Sequence, residues 1–112
     1  MYAVFRTQKF DIELVKKLSA AEQRQVEKFE KNQLIKNPNV GDPLGYKFFR
    51  EKKISGKRVY FLIYEDLKAV LMVGISDKKT QQETIDEIKD RLKEYYEVVR
   101  EAIRRHGEFG RS

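Results

Sequence analysis

Residues Tyr2 to Thr7 alternate partly between apolar and polar positions, which predicts a short first strand. From about Phe10 the period changes. Phe10, Leu14, Val15 and Leu18 recur at helical spacing. Ser19-Ala20-Ala21-Glu22 has the form of a capping box, so a second helix is expected to begin there, with Val26, Phe29 and Leu34 as its apolar stripe. Asn37-Pro38 ends that helix, because proline disfavours helical backbone in the residue before it. The stretch from Asn37 to Gly45 holds both prolines and two glycines and predicts an ordered loop.

Three strand-like runs follow. Tyr46 to Ile54 mixes aromatics with cations, Val59 to Tyr64 is strongly β-forming, and Ala69 to Ile75 is almost wholly apolar, as expected of a strand covered on both sides. The connections Ser55-Gly56 and Glu65-Asp66-Leu67-Lys68 are too short for a parallel crossover, so the runs predict an antiparallel meander. Thr80-Gln81-Gln82-Glu83 has a second capping-box pattern. Ile85, Ile88, Leu92, Tyr95, Val99 and Ala102 then form one seam, predicting a single long helix over 80–106 and a flexible tail over 107–112. The fold class is therefore α+β: strand, helical hairpin, three-strand antiparallel meander, long C-terminal helix. Residues 1–112 form one domain, with the sheet and helical hairpin in 1–79.

Charge sharpens this picture. The chain has 112 residues and a formal net charge of +6. Between Tyr46 and Arg58, six cations (Lys47, Arg50, Lys52, Lys53, Lys57, Arg58) face one anion, Glu51, so this hairpin carries nearly all of the excess. Such a patch attracts nucleic acid, anionic lipid or an acidic protein. With no cysteine, disulfides, thiolate metal sites and cysteine catalysis are excluded. No apolar run approaches the roughly 20 residues of a membrane helix, and the first residues lack a signal-peptide core, so a cytoplasmic location is expected. Richness in Lys and Glu without Cys or Trp points, on composition alone, toward a thermophilic source.

Few residues offer enzyme chemistry. The one histidine, His106, lies at the end of the last helix, where a cation is favourable in any case. No Gly-rich phosphate loop, metal-ligand pattern or carboxylate pair in a strand is evident, and no cofactor is expected. What remains is the basic hairpin, where cations interleave with Tyr46, Phe48, Phe49, Tyr60, Phe61 and Tyr64. Cations bind phosphate and exposed aromatics stack on unpaired bases. Basic residues on a sheet can also promote metal-free RNA cleavage, in which a ribose 2′-hydroxyl attacks the adjacent phosphate. The alternative is a solvated face over core aromatics. A two-residue Ser55-Gly56 turn would place Arg50 and Lys52 beside Val59, Phe61 and Ile63, burying cations at high cost. A three-residue loop, Ile54-Ser55-Gly56 with glycine left-handed, is therefore expected. It pairs Lys52 with Arg58 and Arg50 with Tyr60, and gathers Arg50, Lys52, Arg58, Tyr60 and Tyr64 on one face. On such a face, Arg58→Ala is expected to cost little stability.

The order strand, helix, helix, meander, with a basic second strand, resembles the RelE/ParE toxin superfamily of type II toxin–antitoxin systems. The local sequences agree over residues 1–85: Tyr2-Ala3-Val4-Phe5-Arg6-Thr7-Gln8-Lys9-Phe10, Asp42-Pro43-Leu44-Gly45, Phe49-Arg50-Glu51-Lys52-Lys53, Gly56-Lys57-Arg58-Val59-Tyr60, Ile63-Tyr64-Glu65 and Ile75-Ser76-Asp77-Lys78-Lys79. The resemblance implies a metal-independent messenger-RNA endoribonuclease that works on the ribosome. Its catalytic residues would be Arg50, Lys52, Arg58 and Lys78, with RNA also held by Lys47, Lys53, Lys57, Tyr60, Tyr64 and Lys79. The partners implied are RNA, the ribosome and a cognate antitoxin peptide. The sequence departs from the family where Thr80-Gln81-Gln82 replace the tyrosine or histidine common just after the fourth strand. Two alternatives stay open: a RelE-like binder without nuclease activity, such as a ParE-type gyrase inhibitor, or a dimeric nucleic-acid-binding module. The seam residues Leu92, Tyr95, Val99 and Ile103 are expected to contact a second copy or to occupy the groove of an antitoxin helix.

Overall fold

The computed structural model describes residues 1–109, with side chains to 106. Five strands form one sheet in the order β1-β5-β4-β3-β2, with β1 (Ala3–Arg6), β2 (Asp42–Tyr46), β3 (Phe49–Ile54), β4 (Lys57–Tyr64) and β5 (Ala69–Asp77). The helices are α1 (Gln8–Lys17), α2 (Ala20–Phe29), α3 (Gln81–Asp90) and α4 (Leu92–Phe109). β3, β4 and β5 form the expected meander. Two features were not expected. β1 runs parallel to β5, so the sheet is mixed, and the segment read as a loop contributes the edge strand β2.

The helical hairpin begins as its sequence requires. The Ser19 hydroxyl accepts from the Glu22 amide while the Glu22 carboxylate accepts from the Ser19 amide, closing the capping box. The second helix ends differently from a regular helix. A π-helical turn covers Glu30–Leu34, with Ile35 N donating to Glu30 O at 3.3 Å. That wider turn puts Phe29 and Leu34, five residues apart in sequence, on one face, both buried. It also buries Glu30, whose carboxylate takes Arg6 Nε at 2.9 Å and Nη2 at 2.6 Å.

The sheet is covered on both faces. Val59, Phe61 and Ile63 of β4 pack under α1 and α2 with Phe10, Leu14, Val26 and Phe29. Tyr60 and Leu62 face the other way, into a second core with Phe49, Ile85, Ile88 and Val99 under α3 and α4. In β5, Tyr60 pairs with Gly74 but Phe61 with Met72, so Val73 is the extra residue of a bulge. The bulge reverses the alternation: Val73 joins the α3/α4 core, yet Ile75 lies in the α1/α2 core. Gly74 and Ser76 therefore face α3. A Cβ on Gly74 would stand 3.4 Å from Ile88 Cδ1, which lets α3 lie close to the strand.

The single long helix of the sequence reading is two helices. Arg91 leaves helical geometry (φ −117°) and its amide bonds back to Ile88 O at 3.1 Å. The apolar stripe continues from Ile88 to Leu92 across the break, which is why spacing alone did not show it. The predicted capping box at Thr80 does not form either. Asp77 Oδ1 instead accepts from the Thr80 amide at 3.0 Å and hydroxyl at 3.1 Å. These bonds hold the Asp77 carboxyl below its ordinary range. Of the predicted tail, residues 107–109 continue α4 and the rest lie outside the described residues.

Candidate nucleic-acid interface

The β3–β4 turn has two residues. Ile54 pairs with Lys57, Lys53 with Arg58, Lys52 with Val59 and Arg50 with Phe61, so the three-residue loop expected from sequence is not formed. Ser55, not Gly56, takes the left-handed backbone (φ 56°). Arg50 and Lys52 consequently lie on the face of Phe61, opposite Arg58, Tyr60 and Tyr64.

The cost that argued against this register is avoided locally. Arg50 donates Nε to Val40 O (2.8 Å), Nη1 to Lys47 O (3.1 Å) and Nη2 to Gly41 O (3.2 Å), which braces the β2 segment. Lys52 lays its stem on the core, with its ammonium 5.6 Å from the Phe29 ring centre. Both side chains are committed to the α2 side of the sheet. Gly41 is part of this arrangement: with φ +75°, a Cβ there would stand 2.2 Å from Glu51 O.

On the α3 side a different set converges. Lys53, Arg58 and Ser76 form one cross-strand row, and Glu51, Tyr60 and Gly74 the next. Glu51, expected to escape at the sheet margin, is buried. Its two carboxylate oxygens each accept from Gln81 Nε2 at 3.1 Å, and Arg58 Nε lies 3.9 Å from Oε2. The Arg58 side chain is only 13% exposed, and its Nε has no hydrogen-bond partner. The Tyr60 hydroxyl shares a 2.7 Å hydrogen bond with Ser76 Oγ. Burial raises the Tyr60 hydroxyl above the ordinary tyrosine value, with the Ser76 bond opposing. Glu51, Ser76 and Gln81 were missed from sequence. The bulge that aims Ser76 left no mark in an apolar run, and a lone carboxylate among six cations reads as surface.

Around this buried cluster, Lys53, Lys78 and Lys79 are exposed, whereas Lys57, paired with Ile54 and Asp77, is half-buried on the α1/α2 face. Lys47 is exposed at the far end of the hairpin. Tyr60 is fully buried and Tyr64 is half-buried against Tyr96, so neither offers a free ring to a base. Burial raises the Tyr64 hydroxyl as well.

The C-terminal seam is covered within the chain. Val99 is fully buried among Ala69, Leu71 and Ile88, with Leu92, Tyr95 and Ile103 packed around it. Tyr96 ties α4 to the 3₁₀ turn after β4 through Asp66 Oδ2 at 2.9 Å. His106 is exposed. Among the described residues no three His, Cys, Asp or Glu side chains gather as a metal site would require, and no helix is long and apolar enough to cross a membrane.

No protein-family model matches the chain, and no curated protein matches it in sequence. Solved structures do. An Escherichia coli RelE toxin mutant in the free state superposes with a TM-score of 0.63 at 16% identity, over 78% of this chain and 97% of the toxin. A chain of the RelBE2 toxin–antitoxin complex of Mycobacterium tuberculosis gives 0.59 at 21% identity, over 69% and 91%. A chain of the archaeal RelE–RelB complex of Pyrococcus horikoshii gives 0.51 at 13%, over 69% and 94%. The strand order, the helical hairpin and these superpositions agree: the chain has the fold of the RelE toxins.

Proposed function

We propose that this chain is the toxin of a toxin–antitoxin pair and that it cleaves messenger RNA, without a metal ion, at the α3-side end of the β3–β4 hairpin. The observation that carries the reading is the cross-strand row of Lys53 and Arg58, with Lys78 and Lys79 exposed just beyond the end of the neighbouring strand β5. A phosphodiester entering there meets several cations at once. Arg58 would stabilise the charge that develops on the phosphate as the 2′-hydroxyl attacks, and the lysines would hold the flanking phosphates. Arg50 and Lys52 drop out of the catalytic set, because they serve the opposite face. The RelE–RelB complexes among the similar structures support an antitoxin peptide as partner.

A specific observation favours a second reading, a RelE-like binder without nuclease activity. Arg58 is held beside Glu51, and Tyr60 is sealed under α3, so that among the described residues no exposed tyrosine or histidine stands beside the row. One experiment separates the two. The protein is added to ribosomes programmed with a defined messenger, with and without EDTA. Cleavage that persists in EDTA and is lost in Lys53→Ala/Arg58→Met supports the nuclease. Intact messenger accompanied by growth arrest on expression supports the binder. Cleavage abolished by EDTA and restored by magnesium refutes the metal-free mechanism.

A further inference from the structure

The turn between β2 and β3 carries a feature that the proposed catalytic row does not use. Tyr46 and Phe48 are stacked, ring centres 4.8 Å apart and planes 26° from parallel, yet 45% and 37% exposed. Large aromatic rings at the surface are costly unless something covers them at work. The turn that presents them is braced from beneath. Arg50 Nη1 donates to Lys47 O at 3.1 Å, and Ile63 N donates to Phe48 O at 2.8 Å. Gly45, at φ +90°, leaves room for Lys89: a Cβ there would stand 3.2 Å from Lys89 Nζ. That ammonium lies 5.9 Å from the Tyr46 ring centre.

Charge decides what fits. Lys47 and Lys93 line the grooves on either side of Phe48 and Lys89 lies against Tyr46, and among the described residues none of the three forms an ion pair. The nearby carboxylates are turned to other partners, Glu65 to the Tyr2 hydroxyl, Asp66 to the Tyr96 hydroxyl and Glu97 to Arg100. A flat π-surface beside ammonium groups that make no ion pair of their own matches an unpaired base with its phosphates. It fits an acidic or purely apolar peptide less well, since one would leave the rings and the other the charges unused.

We infer that the Tyr46–Phe48 stack is a second contact for single-stranded RNA, separate from the Arg58 row and at the other end of β3, where an unpaired base stacks and Lys47, Lys89 and Lys93 hold the adjoining phosphates. The inference rests on RNA being the substrate class. It assigns Arg50 a positioning role, through the turn that it braces.

The test is fluorescence anisotropy with a labelled single-stranded RNA of about 12 nucleotides and its duplex form. Tyr46→Ala/Phe48→Ala should weaken single-strand binding by roughly 5- to 100-fold, the worth of one base–aromatic stack. Tyr46→Phe/Phe48→Tyr, which keeps both rings, should restore it, and duplex binding should change little. Circular dichroism establishes that each variant is folded. Single-strand affinity within twofold of wild type in the folded alanine variant overturns the inference. So does an equal loss for single strand and duplex, which would mean that only charge or shape was lost. If the wild type binds no RNA, the proposed function fails along with it. If RNA is bound and cut through Arg58 but the alanine variant binds normally, the second contact alone is wrong.

Discussion

Replacing Arg58 with methionine should destabilise the protein, against the expectation from sequence, because its guanidinium is buried beside a buried carboxylate. The side chains of Arg58 and Glu51 are 13% and 6% exposed. Removing one member of a fully buried, well-bonded pair costs about 3–5 kcal/mol, chiefly through the charge left behind. Here the closest approach is 3.9 Å, and Gln81 still donates to Glu51, so a smaller loss of about 1–3 kcal/mol is expected. With a urea dependence of about 1–2 kcal/mol per molar for a domain this size, the midpoint should fall by roughly 0.5–3 M. The second arm is Glu51→Gln, which removes the charge and keeps an acceptor for Gln81. The double variant Glu51→Gln/Arg58→Met should lose less than the sum of the single changes, by about 1 kcal/mol or more. Urea unfolding of the four proteins measures this. An Arg58→Met midpoint equal to wild type, or strict additivity, would show that the two charges do not interact and that the buried cluster has been misread.

Other consequences are simpler. Ser55→Gly should stabilise the hairpin by about 0.5–1 kcal/mol, because Ser55 holds a left-handed backbone that glycine adopts freely; thermal unfolding would show a raised midpoint. Val99→Asp should unfold or strongly destabilise the monomer, since Val99 is fully buried, whereas wild type should scatter light as a monomer at tens of micromolar; a dimer lost in a still-folded Val99→Asp would restore the seam as an interface. Stability should fall as pH rises beyond about 10. Burial raises Tyr60, Tyr64 and Tyr95 above the ordinary value of 10.0, so the unfolded chain loses those protons first and is favoured. The contribution is complete below that value and is lost as pH rises through the folded values; a flat denaturation midpoint between pH 9 and pH 11 would contradict it.

How far the sequence could be read depended on which signals are local. The Ser19 capping box and the faces of β4 were legible, because one is a four-residue motif and the other a strict alternation. β2 was not, since Asp42-Pro43-Leu44-Gly45 is mostly exposed and pairs on one side only. The hairpin register turned on which residue goes left-handed, and glycine is the better candidate on propensity. The structure puts Ser55 there, because this register lets Phe49 and Ile54 each enter a core. The cation that this register turns inward is tolerated because the carbonyls of Val40, Gly41 and Lys47 come within reach of Arg50 once β2 is in place, and no local sequence signal announces that. The candidate site suffered most from this: cations adjacent in sequence divide between two faces, while Ser76 and Gln81 arrive from 18 or more residues beyond Arg58.

The central claim is that the Lys53–Arg58 row acts on RNA, and mapping messenger 3′ ends after brief expression tests it most directly. Glu51→Gln serves as the background, so that loss of Arg58 does not strand a buried charge. The account predicts new, discrete 3′ ends within coding sequence for wild type and Glu51→Gln, and none for Glu51→Gln/Arg58→Met at equal protein level. The same 3′ ends from the Arg58-deficient protein, or none from the wild type, would contradict it.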